Sequence, residues 1–333
     1  MSARRSRSSP SRVRPGSPVR SCASAASPSW APSPMSRMIE LTSTPALVKL
    51  YAAAVATSRG RGGKSPLPDV QVVRSGIHVD PAHLADYDQV CGFALRDELP
   101  ATYLHNLAFP LQVTLFVDKG YPYPLTGSVH LANRLIQHRP VRLAEELTVR
   151  VRAENARPHR SGVQVDVVSQ AHVGDELVWE GLATYLYRGQ QMEGEAQPRP
   201  PEPEAVSGAG ATWRLPGDLG RRFAGVSGDI NPIHLHPLTA KAMGFPRAIV
   251  HGMWSQAAML AGIESRLPPA YVADMSFRKP VLIPGTATFV AHRAPDGSWD
   301  LALRNPKKDT VLVRGAVTPA IAVSNFVNGE VVG

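Results

Sequence analysis

Two side chains able to exchange protons, Asp229 and His234, stand five residues apart in the stretch FAGVSGDINPIHLHPLTA, residues 223–240. The Asn231-Pro232 turn between them is expected to stop a helix from forming there and to fold both side chains toward one point. A loop of this kind presents an acid/base pair to a single water molecule. Downstream, Gly252 follows His251 at the start of the helix candidate MWSQAAMLAGIES. With no side chain at that position, a substrate carbonyl can approach the unpaired N–H groups at the positive end of the helix.

Plainer explanations exist for each residue. Asp and Asn-Pro after Gly are ordinary turn formers. Asp229, His234 and His236 could ligate a metal, although His236 lies two residues on and can face elsewhere. His251 suits a helix start or a core position better than a base. Met253, Trp254, Met259 and Leu260 suit a core face. Arg304, Lys307 and Lys308, beside Asn305-Pro306, suit a solvated hairpin end, with a phosphate contact the weaker alternative.

The elements that must position this loop follow from the rest of the chain. A length of 333 residues with 43% hydrophobic and 19% charged residues fills a sizeable core and favours two domains. The net charge of +9 is unevenly placed, because residues 1–38 hold seven arginines and no acid, which leaves +2 for the remainder. A nearly neutral body argues against a nucleic-acid partner. The leading segment has twelve serines and six prolines, too little apolar surface to offset chain entropy, so disorder is expected. It suits a transit peptide, which would make the location organellar, or sequence upstream of a start at Met35 or Met38, which leaves the protein cytoplasmic. Cys22 and Cys91 are the only cysteines, so no disulfide framework is available. No apolar run reaches membrane-spanning length.

Residues 39–66 are expected to form a helix capped by Thr44, with Pro45 at its first position, followed by a flexible GRGGKS linker. Residues 67–190 read as one domain: a buried helix in NLAFPLQVTLFV, with Pro110 in its opening turns, then strands at SVHLANRLI, ELTVRVRAE, GVQVDVVSQAH and LVWEGLATYLYR. Residues 191–211 form an exposed linker, and 212–333 a second domain in which the pattern returns. Tyr87 to Phe93 has the spacing of Phe223 to Asp229, Pro100 with His105 that of Pro246 with His251, and Arg139-Pro140-Val141 that of Lys279-Pro280-Val281. The offset grows from 136 to 146 between the first two pairs. The second half therefore carries about ten extra residues around NPIHLHPLTA by this ungapped matching. Phe93 stands where Asp229 stands, and Asn106 where Gly252 stands, so the first half lacks the chemistry.

The run of an aromatic, Ser-Gly-Asp-x-Asn-Pro-aliphatic-His, and a downstream His-Gly-Met helix start resembles the MaoC-like hydratase/dehydratases. The resemblance implies an α+β double hotdog, two antiparallel sheets each wrapping a long helix. It also implies interconversion of a trans-2-enoyl thioester and an (R)-3-hydroxyacyl thioester in fatty-acid metabolism, the work of a hydro-lyase. Asp229 and His234 become the catalytic pair, Ser227, Gly228 and Asn231 the loop that supports them, and Gly252 the oxyanion donor. Phe223 departs from the tyrosine common in the family, which removes a hydroxyl from the loop's surroundings. No metal and no cofactor are expected beyond the thioester carrier, CoA or acyl-carrier protein, and the pseudo-dimer can pair again into a homodimer. The competing classes are a hotdog acyl-thioesterase, which would release free thiol, and an acyl-thioester-binding subunit without catalysis.

Overall fold

The computed structural model describes residues 37–58, 61, 65–198, 206, 208, 210–320, 326–327 and 330–331. The disorder and targeting expectations for residues 1–36 therefore lie outside the described residues, as does most of GRGGKS. Strand β1 (Arg37–Glu40) and helix α1 (Leu47–Thr57) come first. The first half then runs β2 (Val70–Ile77), α2 (Pro81–Cys91), α3 (Ala101–Val117), β3 (Ser128–Gln137), β4 (Leu147–His159), β5 (Gly162–Val173) and β6 (Glu176–Arg188). The second repeats that order with two added turns: β7 (Gly210–Leu215), α4 (Leu219–Ser227), α5 (Pro232–Leu235), α6 (Pro237–Ala242), α7 (Gly252–Ala261), β8 (Tyr271–Phe277), β9 (Gly285–Arg293), β10 (Trp299–Arg304) and β11 (Val311–Pro319).

Alternation builds the strands. Along β4, Leu147, Val149 and Val151 are fully buried while Thr148 and Arg150 are partly exposed. Helix α3 is apolar nearly all round and is covered by strands of its own half. Helix α7 is its counterpart, with Trp254 meeting Trp213 of β7 edge-on at 6.2 Å.

The two halves do not form two separate sheets. One sheet has the order β1-β2-β4-β5-β6-β3-β8-β11-β10-β9-β7, in which Ala132–Gln137 of β3 pair antiparallel with Tyr271–Ser276 of β8. Read outward from that pair, both arms repeat the same order, so the molecule has a pseudo-twofold axis between β3 and β8. Left apart, each of these strands would present an open hydrogen-bonding edge; paired, both edges are satisfied. Further contacts cross the axis. The Tyr87 and Phe223 rings, equivalent by sequence, lie 6.3 Å apart, and the Trp254 indole donates to the Val90 carbonyl at 2.9 Å.

Several local expectations need correcting. Helix α1 starts at Leu47 with Ala46 as its uncapped N-cap, because the Thr44 hydroxyl is taken by the Arg74 guanidinium. Helix α3 starts at Ala101, so Pro110 lies well inside it rather than in an opening turn. The Arg61 guanidinium, within the glycine-rich stretch, reaches the carbonyls of Phe116, Val117, Asp118 and Tyr121 at the end of α3. It thereby satisfies acceptors that a helix end leaves open.

The repeat register also shifts. Leu99 N–H bonds to Val141 O and Val250 N–H to Val281 O, so Leu99 matches Val250, and Gly252 corresponds to Ala101, not Asn106. The segments before α3 and α7 are extended alike, Glu98 bridging to Arg142 and Ile249 to Leu282, so His105, already inside α3, is no counterpart of His251.

One buried polar pair ties the halves: Asn133 Nδ2 of β3 donates to Gln256 Oε1 of α7 at 2.9 Å. Replacing Asn133 by Ala should leave that acceptor without a donor and lower stability by about 1–3 kcal/mol, read as a shift of the denaturation midpoint at unchanged slope.

Candidate active site

Helix α4 ends at Gly228, whose φ of +70° is open to glycine at little cost; a Cβ there would also run into Leu47 of α1. The chain then turns sharply. Ser227 Oγ accepts the Asp229 N–H at 3.2 Å, the Asn231 N–H donates to Asp229 Oδ1 at 3.1 Å, and Asn231 Oδ1 caps the next turn from Ile233 N–H at 3.4 Å. Pro232 occupies the first position of α5 and His234 its third. The Asn-Pro pair thus ends one helical path and opens another, contrary to the expectation that it keeps helix out of this stretch. Proline at a first helical position sacrifices an N–H that would have no intrahelical partner anyway.

The short helix aims the imidazole. His234 Nδ1 donates to the Ile249 carbonyl at 2.9 Å, which turns Nε2 toward the cavity as an acceptor. On the carboxylate, Oδ1 accepts from Asn231 N–H and from the Tyr51 hydroxyl of α1 at 2.8 Å. Among the described residues no hydrogen bond engages Asp229 Oδ2 or His234 Nε2. Both open onto a cavity lined by both halves, including Tyr51, Phe109, Phe116, Phe277 and Gly252.

Burial works to raise the Asp229 pKa, but the His251 and His234 rings, the Tyr51 hydroxyl and the Asn231 N–H outweigh it and hold the carboxyl below its ordinary range. Burial lowers the His234 pKa, with Asp229 and the Ile249 carbonyl only partly opposing it. At neutral pH the pair is therefore a carboxylate beside a neutral imidazole. Gly252 is the first residue of α7, where an N–H has no intrahelical acceptor. The Phe277 ring lies 3.0–3.1 Å from where a Cβ on Gly252 would stand.

Two members of the site were not anticipated. Tyr51 is 178 residues from Asp229 in sequence, so no local spacing signals it; its hydroxyl supplies the loop with a donor that Phe223 cannot. His251, expected as a helix-start or core residue, is the N-cap of α7 and is buried, but its ring also stacks on His234 at 3.6 Å between centroids. Its Nε2 donates to the Asp229 carbonyl at 3.0 Å.

Asp229, His234 and His251 place one ligand atom each within 4.8 Å of one another. Asp229 Oδ2 and His234 Nε2 are open, whereas His251 Nε2 is held by the Asp229 carbonyl and His251 Nδ1 is buried without a partner among the described residues. The donor set suits acid/base work better. His236 faces away, exposed, and accepts the Leu238 N–H. Arg304 pairs with Asp309, and Asn305 Oδ1 accepts the N–H groups of Lys307 and Lys308 at a hairpin turn. The cations lining the cavity are instead Arg188, Arg278 and Lys279.

Comparison with known proteins identifies the chain's relatives. Residues 202–313 match the family description "MaoC like domain". The chain is 39% identical over 254 residues to 3-hydroxyacyl-thioester dehydratase X of Mycobacterium tuberculosis, covering 75% of this chain and 90% of that protein. A crystal structure of HtdX from the same organism superposes with a TM-score of 0.67 at 37% identity, over 75% of this chain and all of that one. A MaoC-like dehydratase from Phytophthora capsici shares the fold, with a TM-score of 0.58 at 16% identity over 78% of this chain and 97% of that one. The chain belongs to the MaoC-like dehydratase family, and its fold is the double hotdog of that family.

The electrostatics can be tested directly. In an NMR titration His234 should remain neutral below the ordinary imidazole value of 6.5, and His251 down to about pH 3. Tyr51→Phe removes a donor from the charged form of Asp229 and should raise its pKa, read from the carboxyl carbon shift.

Proposed function

We propose that the chain interconverts trans-2-enoyl thioesters and (R)-3-hydroxyacyl thioesters, as a hydro-lyase of fatty-acid metabolism. The observation that carries this proposal is the pair of open acceptors, Asp229 Oδ2 and His234 Nε2, beside the N-terminus of α7. Two acceptors on one side of a cavity hold both hydrogens of a water molecule and leave its lone pair facing the substrate.

In the hydration direction, one of the pair takes a proton from the water as its oxygen bonds to C3. The C2–C3 π electrons move toward the thioester, and the developing negative oxygen accepts from the Gly252 N–H, a contact worth about 3 kcal/mol in comparable sites. The proton held by the pair then passes to C2, which restores the site. Dehydration is the reverse. His234 must be neutral to act as the acceptor, and its lowered pKa keeps it so through the neutral range. The name borne by the Mycobacterium relative, a 3-hydroxyacyl-thioester dehydratase, supports the same reaction.

The reaction is complete with these side chains and needs no group beyond the thioester carrier, CoA or acyl-carrier protein. The first half contributes Phe109, Phe116, Leu125, Val129 and Leu131 to the cavity wall, an apolar lining suited to an acyl tail longer than crotonyl. Having Phe93 and Ala101 in place of Asp229 and Gly252, that half serves binding, not chemistry.

Purified protein incubated with enoyl-CoA substrates of several lengths should deplete the conjugated enoyl absorbance, with kcat/KM rising beyond crotonyl length. Asp229→Asn and His234→Ala should each lower kcat by about 10²–10⁴-fold. Free thiol released from a saturated acyl-CoA would point to a thioesterase. Inactivity of the unsubstituted protein would point to a binding subunit, and a steady fall in rate from crotonyl upward would remove the acyl-tail role.

A further inference from the structure

The cations of the cavity gather at one rim. Strands β6, β3 and β8 lie side by side in the sheet, and β3 begins where its antiparallel neighbours β6 and β8 end, with Ser128 opposite Tyr187. Arg188, the last residue of β6, and Lys279, two residues past Phe277 at the end of β8, therefore leave the sheet together. Two strand spacings separate them, about 10 Å. Both side chains belong to exposed residues, and both line the cavity together with Arg278.

This rim adjoins the reacting atoms. The Arg188 guanidinium lies over the Phe245 ring, 5.7 Å from its centroid. Phe245 packs with Ile233, the residue before His234, and with Ile249, whose carbonyl holds the His234 ring. The stacking thus reaches from the first half into the second. Lys279 follows Phe277, whose ring lies against Gly252 at the proposed carbonyl site.

Among the described residues neither Arg188 nor Lys279 pairs with an acid, and Asp229, the one acid in the cavity lining, is engaged by Tyr51 and Asn231. The two charges at the rim are therefore open to an anion from solution. A guanidinium stacked by its face keeps its N–H edges free for a bidentate acceptor, and an ammonium adds a compact point charge. That combination suits a phosphate.

We propose, building on the reaction given above, that Arg188 and Lys279 bind the phosphate of the phosphopantetheine arm that joins the thioester to its carrier. The half without chemistry then supplies one side of the carrier site, through Arg188. The phosphate is common to CoA and acyl-carrier protein, so the subsite serves either source. Stacking on Phe245 holds the guanidinium in place before the substrate arrives, which lowers the ordering cost of binding. Because both cations are exposed, the attraction weakens as salt rises.

The test compares kcat/KM for one trans-2-enoyl chain carried on pantetheine, phosphopantetheine, CoA and acyl-carrier protein. Adding the phosphate to pantetheine should raise kcat/KM by about tenfold, through a lower KM, with the gain shrinking at high salt. In the double variant Arg188→Gln/Lys279→Gln that gain should fall to about one. Lys279→Gln alone alters only an exposed side chain and should reduce the gain by itself, so the test stands if loss of the Phe245 contact disturbs folding. A further rise on CoA would assign the subsite to the nucleotide carrier, and a further rise on acyl-carrier protein to the protein carrier. Equal kcat/KM with and without the phosphate, or a gain that survives the substitutions, would overturn the subsite. Turnover of the pantetheine thioester reports separately on the reaction itself: turnover without a phosphate preference overturns only the subsite, whereas no turnover of any enoyl thioester overturns both.

Discussion

A carboxylate withdrawn from water must be met by donors, and the surroundings of Asp229 are organised by that requirement. Two donors, Tyr51 and Asn231, converge on Oδ1 from opposite ends of the sequence. Their convergence leaves Oδ2 facing the cavity. His251 holds the Asp229 backbone carbonyl, and Ile249 holds the His234 ring. In the proposed reaction the acid and the base are held by their unreactive atoms, which is how a site keeps its reacting atoms both oriented and open. Since burial alone would push the carboxyl toward its neutral form, removing these donors would weaken the charge on which the pair depends.

On the proposed function, the pseudo-twofold sheet accounts for a half that is kept without chemistry of its own. Pairing of β3 with β8 makes the two hotdogs mutually dependent through satisfied edges, so both must be kept for the fold. Only one must carry the loop. In the second half the stretch between α4 and α7 lengthens to include α5 and α6, which bring His234 back against Asp229. In the first half the chain passes from Gly92 to α3 without them. What remains there is a wall of apolar side chains such as Phe109, Phe116 and Leu125 interspersed with polar ones.

The sequence made strands β3 to β6 legible because alternation of buried and exposed residues is local, as along Leu147, Val149 and Val151. The Asp/His loop was legible for the same reason, since its turn formers and titratable residues lie within a few positions of each other. Contacts between distant segments left no such trace. Nothing around Tyr51 marks it as a partner of Asp229, because an amphipathic helix shows that it docks but not where. The edge-to-edge pairing of β3 and β8 was hidden too, since a strand bound on one side looks the same in sequence as one bound on both. Matching Pro100 to Pro246 misplaced the repeat register: similar residues coincided, but the Leu99 and Val250 backbone bonds, which have no sequence signature, define the equivalence. His251 looked structural and is structural, yet its stacking on His234 also places it in the site.

A single acid/base pair serving both C2 and C3 has a stereochemical consequence, because oxygen and proton then reach the same face of the double bond. The most direct measurement is hydration of a trans-2-enoyl thioester in deuterium oxide, with the product examined by proton NMR after chiral separation. One (R)-3-hydroxyacyl diastereomer, with deuterium added at C2 on the face that receives the hydroxyl, is the outcome expected if Asp229 and His234 share the water. Deuterium on the opposite face, or equally on both, would contradict it.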